Sequence, residues 1–524
     1  MNRRTFMAAS AAAAFAGPAF AQESAPHYTT GNAKWQAAYD KALAVLHKNV
    51  QVVPRYSKPV LIEGADYAGI WMECGPHEAL VYRKFRPDVA RNSHEVFFEL
   101  QRMDGQIPCN NKVTETGFGQ IQMVVPIAAT AWELSRATGD EALLAHAYSA
   151  CSAWDAWLLT YRNTRGTGLT EGFCTYDTGH DNSPRWEGIP PQCPNKDAKA
   201  FVPGLGVPRL SPDLSATTYG ARLALADMAR ALGKGGEADR WTESAADIRG
   251  KILNQLYVAE DAAFYDLDAN GKFVRVRGDI LTRVCSERVP DQTLFDTLWE
   301  RQIHNPKAFW APYPLPSIAL DDPTFVRPIP KNSWGGPSQA LTALRAPRWM
   351  DHYGRSAEFS GMMTKWCEAI IADMTFRQQI DPVDGTFTKQ GDEPDYSPCA
   401  LVMVDYSWRL AGVVEEADVL EWNVRPGHPA SIGARFRLPL DGGGSAEMMY
   451  DGKGAELRVS GKRLGRVEGT ARLVTRKDGQ VVSLRGIDER AQKVTLRPEG
   501  QPAKTLKLAG NAVEPLSPFF TGRG

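Results

Sequence analysis

The sequence predicts a mainly α protein, in which paired helices build a double-ring α barrel, followed by a small C-terminal β-sandwich. Three observations carry this. Apolar residues recur at helical spacing through roughly the first four hundred residues of the mature chain. Neighbouring helical segments are joined by short Gly-rich turns, the pattern of an α-hairpin array. After about Trp422 the helical period gives way to short alternating segments, the pattern of half-buried strands.

Segment 35–47 places Trp35, Ala38, Ala42, Val45 and Leu46 on one face, and segment 89–103 does the same with Val96, Phe97, Leu100 and Met103. Segments 124–137 and 141–161 form a helix pair punctuated by Gly139-Asp140, and 217–232 with 237–256 forms another across Gly233 to Gly236. A β-hairpin is expected at 264–276 around the Asp268-Ala269-Asn270-Gly271 turn. Further helices follow at 290–302, 336–350, 356–375 and 397–412, bringing the count near the twelve of a double ring. Beyond them, 456–460 and 481–485 alternate as strands, and Gly442 to Gly444, Asp451-Gly452 and Asp478-Gly479 mark turns.

Composition fits a folded globular chain, with 43% hydrophobic and 23% charged residues. A net charge of −1 and the lack of a basic block argue against nucleic acid as a partner. Arg3-Arg4-Thr5-Phe6-Met7, the apolar run from Ala8 to Phe20 and Ala19-Phe20-Ala21 read as a twin-arginine signal peptide cut before Gln22. That run is shorter than the roughly twenty residues of a membrane span, so no membrane partner is expected after cleavage, and the mature protein is expected in the periplasm. The expected units are therefore a signal peptide at 1–21, a helical catalytic domain at 22–421 and a β-rich accessory domain at 422–524. Of eight cysteines, Cys174 and Cys193 flank a loop that they could staple, whereas Cys151, Cys285, Cys367 and Cys399 sit in helical or apolar settings as small buried hydrophobes. No Cys-x-x-Cys or His-Glu-x-x-His pattern occurs, and neither a metal nor a cofactor is expected.

The stretch with the most chemistry runs Gly179-His180-Asp181-Asn182-Ser183-Pro184-Arg185-Trp186-Glu187-Gly188. A carboxylic acid beside apolar and aromatic neighbours has its pKa raised by desolvation, which makes Asp181 a candidate proton donor to a glycosidic oxygen. Arg185 offers a forked contact to an oxygen or carboxylate, and Trp186 an apolar face to a pyranose ring. His180 either tunes the acid or packs beneath it.

Several segments in the same order resemble the inverting (α/α)6-barrel glycosidases. The pattern is nearest to glycoside hydrolase family 63 and the mannosylglycerate and glucosylglycerate hydrolases, and more distantly to trehalases. The resemblance runs from about Trp35 to Trp408 and implies Asp181 as general acid. Gln101-Arg102-Met103-Asp104-Gly105-Gln106-Ile107-Pro108 looks like a further family stretch at a helix end. Trp71-Met72-Glu73 is similar to its opening element, which implies sugar contacts through Trp71 and Glu73. Gln120-Ile121-Gln122 is similar to the start of a barrel helix, where Gln120 or Gln122 contacts substrate. Ser333-Trp334-Gly335-Gly336-Pro337 partly matches an element that puts Trp334 at the sugar. His77 and Glu78 either line the pit or simply begin a helix.

The main departure lies in Gln378-Gln379-Ile380-Asp381-Pro382-Val383-Asp384-Gly385, where Gln378 falls on the family's catalytic base. An amide cannot take a proton from water near neutral pH. Asp381, Asp384, Glu393 and Asp395 are the candidates for a relocated base, Asp381 and Glu393 foremost, and Gln378 is then a substrate contact. The expectation is an exported hydrolase cleaving a small α-linked glycoside or oligosaccharide with inversion. Its alternatives are an inverting phosphorylase, for which Arg377 and Lys389 are the nearby cations, a lyase on the same toroid, or a catalytically silent periplasmic sugar-binding protein.

Overall fold

A computed structural model of the chain describes residues 25–328, 332–388 and 394–516. The expected signal peptide, Lys389 and Glu393 lie outside the described residues.

Twelve α-helices occur among the described residues: α1 Ala33–Lys48, α2 Gly75–Tyr82, α3 Pro87–Glu99, α4 Ile127–Thr138, α5 Glu141–Tyr161, α6 Pro212–Ala231, α7 Gly235–Gln255, α8 Ile280–Ser286, α9 Gln292–Leu298, α10 Ala340–Arg345, α11 Ser356–Asp373 and α12 Ser397–Ala411. Local chemistry explains their ends. Asn32 caps α1 by accepting from the Trp35 amide, and Asp140 caps α5 by accepting from the Leu143 amide. Gly139 closes α4 in the left-handed region at φ 66°, so Gly139-Asp140 both ends one helix and starts the next. Pro347 cuts the expected 336–350 helix into α10 and a 3-10 turn at Ala346–Arg348. α3 stops at Glu99 rather than continuing to Met103, whose side chain is fully exposed.

α4, α6 and α8 pack in succession, α2 packs on α4, and α12 packs on both α10 and α2. The odd-numbered α1, α3, α5, α7 and α11 each pack on one or more of these. Burial varies from helix to helix. α12 is buried almost throughout, whereas α7 buries only Ala238, Ala245, Ile248 and Ile252. Among the described residues, no helix is long and apolar enough to cross a membrane.

Two antiparallel sheets follow. One has five strands (Val413–Glu415, Val419–Val424, Ala471–Arg476, Val481–Arg485, Val513–Pro515) and the other has seven. The seven-stranded sheet recruits His27–Thr29 from the N-terminal side, with Tyr28 opposite Phe436. The β-rich part thus starts at Val413, as soon as α12 ends, and takes a strand from before α1, unlike the expected boundary at 422. Phe436, Leu438, Met448 and Leu457 from one sheet and Leu420, Trp422, Leu473 and Leu484 from the other join one apolar core that is continuous with the helices. Arg472 pairs with Asp351 at 2.9 Å, and the Asn511 amide donates to Glu358 at 2.7 Å, tying sheets to helices.

The predicted hairpin is present as Asp266–Leu267 paired with Phe273–Val274, its turn held by Asp268 Oδ1 accepting from the Asn270 and Lys272 amides. Together with Arg209–Leu210 and Glu171–Gly172 it forms a four-stranded sheet that places Asp266 beneath the loop after Cys174.

Candidate active site

The loop from Cys174 to Cys193 is held from below at Asp177. Its carboxylate accepts from the Phe173 amide (2.6 Å), the Ile121 amide (2.8 Å) and Arg162 Nη1 (2.5 Å). Gly179 then turns the chain at φ 62°, and a Cβ there would sit 1.9 Å from Glu73 Oε2, so the position requires glycine for both conformation and space. The turn leaves Asp181 partly exposed. Burial raises its carboxyl to about 6, against one opposing hydrogen bond from Asn332 Nδ2 to Oδ2 at 3.0 Å. Its backbone carbonyl accepts from the Trp334 amide at 2.9 Å.

Below Asp181 lies a buried ion network. Arg185 donates to Asp266 through Nε (2.7 Å) and Nη2 (2.6 Å), and to Asp213 through Nη1 (2.8 Å) and Nη2 (2.7 Å). Nη1 also meets His180 Nδ1 at 2.9 Å, so that ring nitrogen is the acceptor and Nε2–H donates to Asp279 Oδ1. Burial, then Arg283, lowers the His180 imidazole to about 4, so it stays neutral beside the acid. Burial opposes ionisation of Asp279, but Arg283 and His180 overcome it and hold that carboxyl well below its usual range.

Across the pit, Tyr67 donates its hydroxyl to Gln378 Oε1 at 2.8 Å, and Asn332 Nδ2 reaches the same hydroxyl at 3.4 Å. Asp181, Asn332, Tyr67 and Gln378 therefore form one polar chain from the acid to the position opposite it. Trp71 stands edge-on to Tyr67, ring centroids 5.8 Å apart, and is half-buried.

A second carboxyl group shares the floor. Burial, then the nearby Asp181, raises Glu73 to about 7, while a hydrogen bond from Gln122 works the other way. Behind it, Glu78 is fully buried with both oxygens lacking a hydrogen-bond partner, and burial raises it to about 8. Cys74 donates its thiol to Glu63, whose carboxyl burial likewise pushes well up. Glu63 and Glu78 therefore favour the protonated form near neutral pH, and Glu73 sits at its midpoint there.

Among the described residues, two groups of three side chains bring metal-ligand atoms within 4.8 Å of one another: Glu63, Glu73 and Cys74, and Cys174, Asp177 and Cys193. The first is proton-bearing, and in the second Arg162 already neutralises the carboxylate, so neither offers a cation a charged cradle. The loop itself lines a cleft of about 570 Å³ through Tyr176, Asn182, Glu187, Ile189 and Pro191, joined by Thr324 from a distant part of the chain.

With this geometry in place, comparison with known proteins decides the family. The mannosylglycerate hydrolase MGH1-like glycoside hydrolase domain matches residues 67–408, well over half the chain. The chain belongs to this family. It is a glycoside hydrolase, and its substrate class is carbohydrate. Among solved structures it is similar to the family 63 mannosylglycerate hydrolase of Thermus thermophilus (TM-score 0.56, 18% identity, 71% of this chain and 100% of that one). It is also similar to a protein described as a sialidase (TM-score 0.64, 17% identity, 86% of this chain and 41% of that one). A third match is the neutral trehalase of Saccharomyces cerevisiae (TM-score 0.52, 13% identity, 68% of this chain and 76% of that one). At these identities the solved structures speak for the fold alone. No curated protein sequence matches.

Within this glycoside hydrolase, several expected substrate contacts have other roles. Arg185, expected to fork onto substrate, is 2% exposed and has its donors committed to Asp213, Asp266 and His180. Trp186, expected to stack on a sugar, is equally buried; its indole N–H donates to Thr178 Oγ1 (2.8 Å), and the guanidinium groups of Arg185 and Arg209 pack against its ring. Trp334 is enclosed against His180 and Arg283 and touches the acid through its backbone. Gln120 is bonded to Gln122 and Gln192, so Gln122 is the glutamine that reaches Glu73.

Asp381, expected as a base, accepts from Arg327 Nε (2.8 Å) and from the Val383 amide (2.8 Å), a turn-forming role. Asp384 shares Arg327, and Asp395 accepts from Lys48 Nζ (2.9 Å) and the Ala65 amide (3.0 Å). His77 is buried inside α2, not in the pit lining. Asn332, Tyr67, Asp213, Asp266 and Asp279 were not singled out by sequence. Only Asn332 carried a signal, as the residue before the Ser333-Trp334 element.

Proposed function

We propose that this glycoside hydrolase closes its six helix hairpins into an (α/α)6 barrel and cleaves a small α-linked glycoside with inversion. Asp181 protonates the leaving oxygen. The observation that carries this reading is the Asp181 carboxyl, raised by burial to about 6 yet still partly open to solvent, next to a neutral His180. The pit floor of Glu73, Gln122 and Trp71 takes the sugar, and the cleft beside Asn182 and Tyr176 takes the leaving group. A glycosylglycerate fits this reading, since a mannosylglycerate hydrolase is among the similar structures.

Glu393 serves as the base. Among the candidates, Asp381 and Asp384 hold Arg327 and Asp395 holds Lys48, which leaves Glu393 for this role. Gln378, tied to Tyr67, then orients the attacking water or a sugar hydroxyl. The chain is exported by the twin-arginine route and works in the periplasm, as Arg3-Arg4 and the apolar run after them suggest.

Proton NMR of the protein with α-glucosides, α-mannosides, α-rhamnosides and glycosylglycerates tests this. Release of a β-anomer is expected, and an α-anomer would refute inversion. Glu393→Gln should lower the rate by about 10²–10⁴-fold, with activity partly restored by adding Gln378→Glu. An undiminished Glu393→Gln enzyme would remove Glu393 from the mechanism.

A further inference from the structure

We infer that Cys174 and Cys193 join as a disulfide that staples the two ends of the loop carrying Asp181. Both residues are buried, and with Phe173 they form one small apolar cluster. Their sulfurs lie within 4.8 Å of each other and of an Asp177 carboxylate oxygen. The backbone brings them together. The Thr175 amide donates to the Pro190 carbonyl and the Tyr176 amide to the Pro191 carbonyl, both at 3.0 Å, so the two ends of the loop run side by side just inside the cysteines. The Cys193 amide is pinned in turn to the Gly119 carbonyl at 3.0 Å. The thiols are unlinked here. Closing them brings the two sulfurs from within 4.8 Å to the roughly 2 Å of a sulfur–sulfur bond.

The surroundings favour a disulfide over a metal. Asp177, the third member of the cluster, has its oxygens taken by Arg162, Ile121 and Phe173, and the guanidinium already supplies the positive charge a cation would bring. Arg162 Nη2 also donates to Cys193 Sγ at 3.6 Å, whereas burial and then contact with Cys193 push the Cys174 thiol well above its usual range. Cys193 is therefore the sulfur that reacts first. Its thiolate attacks a small-molecule disulfide such as oxidised glutathione and releases one glutathione thiolate. Cys174 then gives up its proton as its sulfur attacks Cys193 Sγ and releases the second glutathione. Two protein thiols are oxidised and one glutathione disulfide is reduced. The bond closes a loop that includes His180, Asp181, Arg185 and Trp186, so it restrains opening of the acid without touching substrate. The inference stands apart from the proposed reaction.

The test treats the purified full chain with oxidised glutathione, denatures it in acid, labels remaining thiols with a maleimide and maps peptides by mass. A Cys174–Cys193 peptide pair lighter by two hydrogens is expected. A longer half-life of activity on heating is also expected for the oxidised than for the dithiothreitol-reduced protein, with the difference gone in Cys174→Ala and Cys193→Ala. Maleimide on both residues after oxidation, or either one joined to a different cysteine, overturns the disulfide. A formed bond with unchanged half-life overturns the stapling role. If either variant fails to fold, the wild-type peptide map decides.

Discussion

The two walls of the pit are built on opposite electrostatic plans. Beneath Asp181, charges are paired out of reach of water: Arg185, Asp213 and Asp266 side chains are 3%, 1% and 0% exposed. Around Gln378, acids are paired with surface cations: Arg327 is 43% exposed over Asp381, and Lys48 is 55% exposed over Asp395. The first plan fixes a loop and leaves one carboxyl, Asp181, with neither a cation nor full solvation, which is how a proton donor is kept protonated. The second plan pairs buried acids with cations that water reaches, and such pairs shape turns more than they tune chemistry. One wall holds its chemistry by rigid burial; the other offers a polar rim.

The sharpest way to break this contrast is Arg185→Ala. Removing the guanidinium strips buried Asp266 of its cation and leaves buried Asp213 only Arg283 at 3.4 Å, which is expected to cost about 3–5 kcal/mol. Urea unfolding should register that loss, and activity should fall with it because His180 loses the donor that fixes its tautomer. A variant as stable as the wild type would mean that the network is not what holds the acid loop.

Next in size is Asp181→Asn, which removes the proton donor while keeping the shape. Hydrolysis is expected to fall by about 10²–10⁴-fold. Its effect on stability has the opposite sign. The carboxyl is raised from 3.8 to about 6 on folding, so the folded state binds the proton more tightly. Its contribution to stability is complete below pH 3.8 and is lost as pH rises through about 6. At pH 7 the amide escapes that penalty, and the variant should be more stable than wild type by on the order of 3 kcal/mol, an advantage that vanishes near pH 4. The wild-type rate should also decline above about pH 6 as the acid ionises. Thermal melts and rates across pH check both signs together.

The same contrast explains what the sequence disclosed. Helices with a solvent face, such as α5 and α7, carry an apolar stripe and were legible almost to the residue. α2 and α8 were not, since α2 buries nearly every residue and α8 all seven, and a helix buried on all sides has no stripe to detect. Asp181 stood out because its chemistry sits in one contiguous decapeptide. Arg185 and Trp186 in the same decapeptide were misread for a related reason: residue type advertises a sugar contact, but Asp213 and Asp266, 28 and 81 positions away in sequence, decide that Arg185 points inward. The strand at His27–Thr29 was equally invisible, because only its partner at Arg435–Pro439, some four hundred residues on, makes it a strand.

The smallest expected effect tests the rim. Arg327→Gln frees Asp381 and Asp384 from their shared cation while Asp381 keeps the Val383 amide. An ion pair whose cation is this open to solvent contributes little, so the melting temperature should stay within about 1 °C of wild type. The rate should stay within about twofold, because the pairing shapes a turn and does not restrain a base. A marked gain in hydrolysis would carry the opposite lesson: Asp381 would then be a base held in check by Arg327, and the rim would share the chemistry now assigned to Glu393.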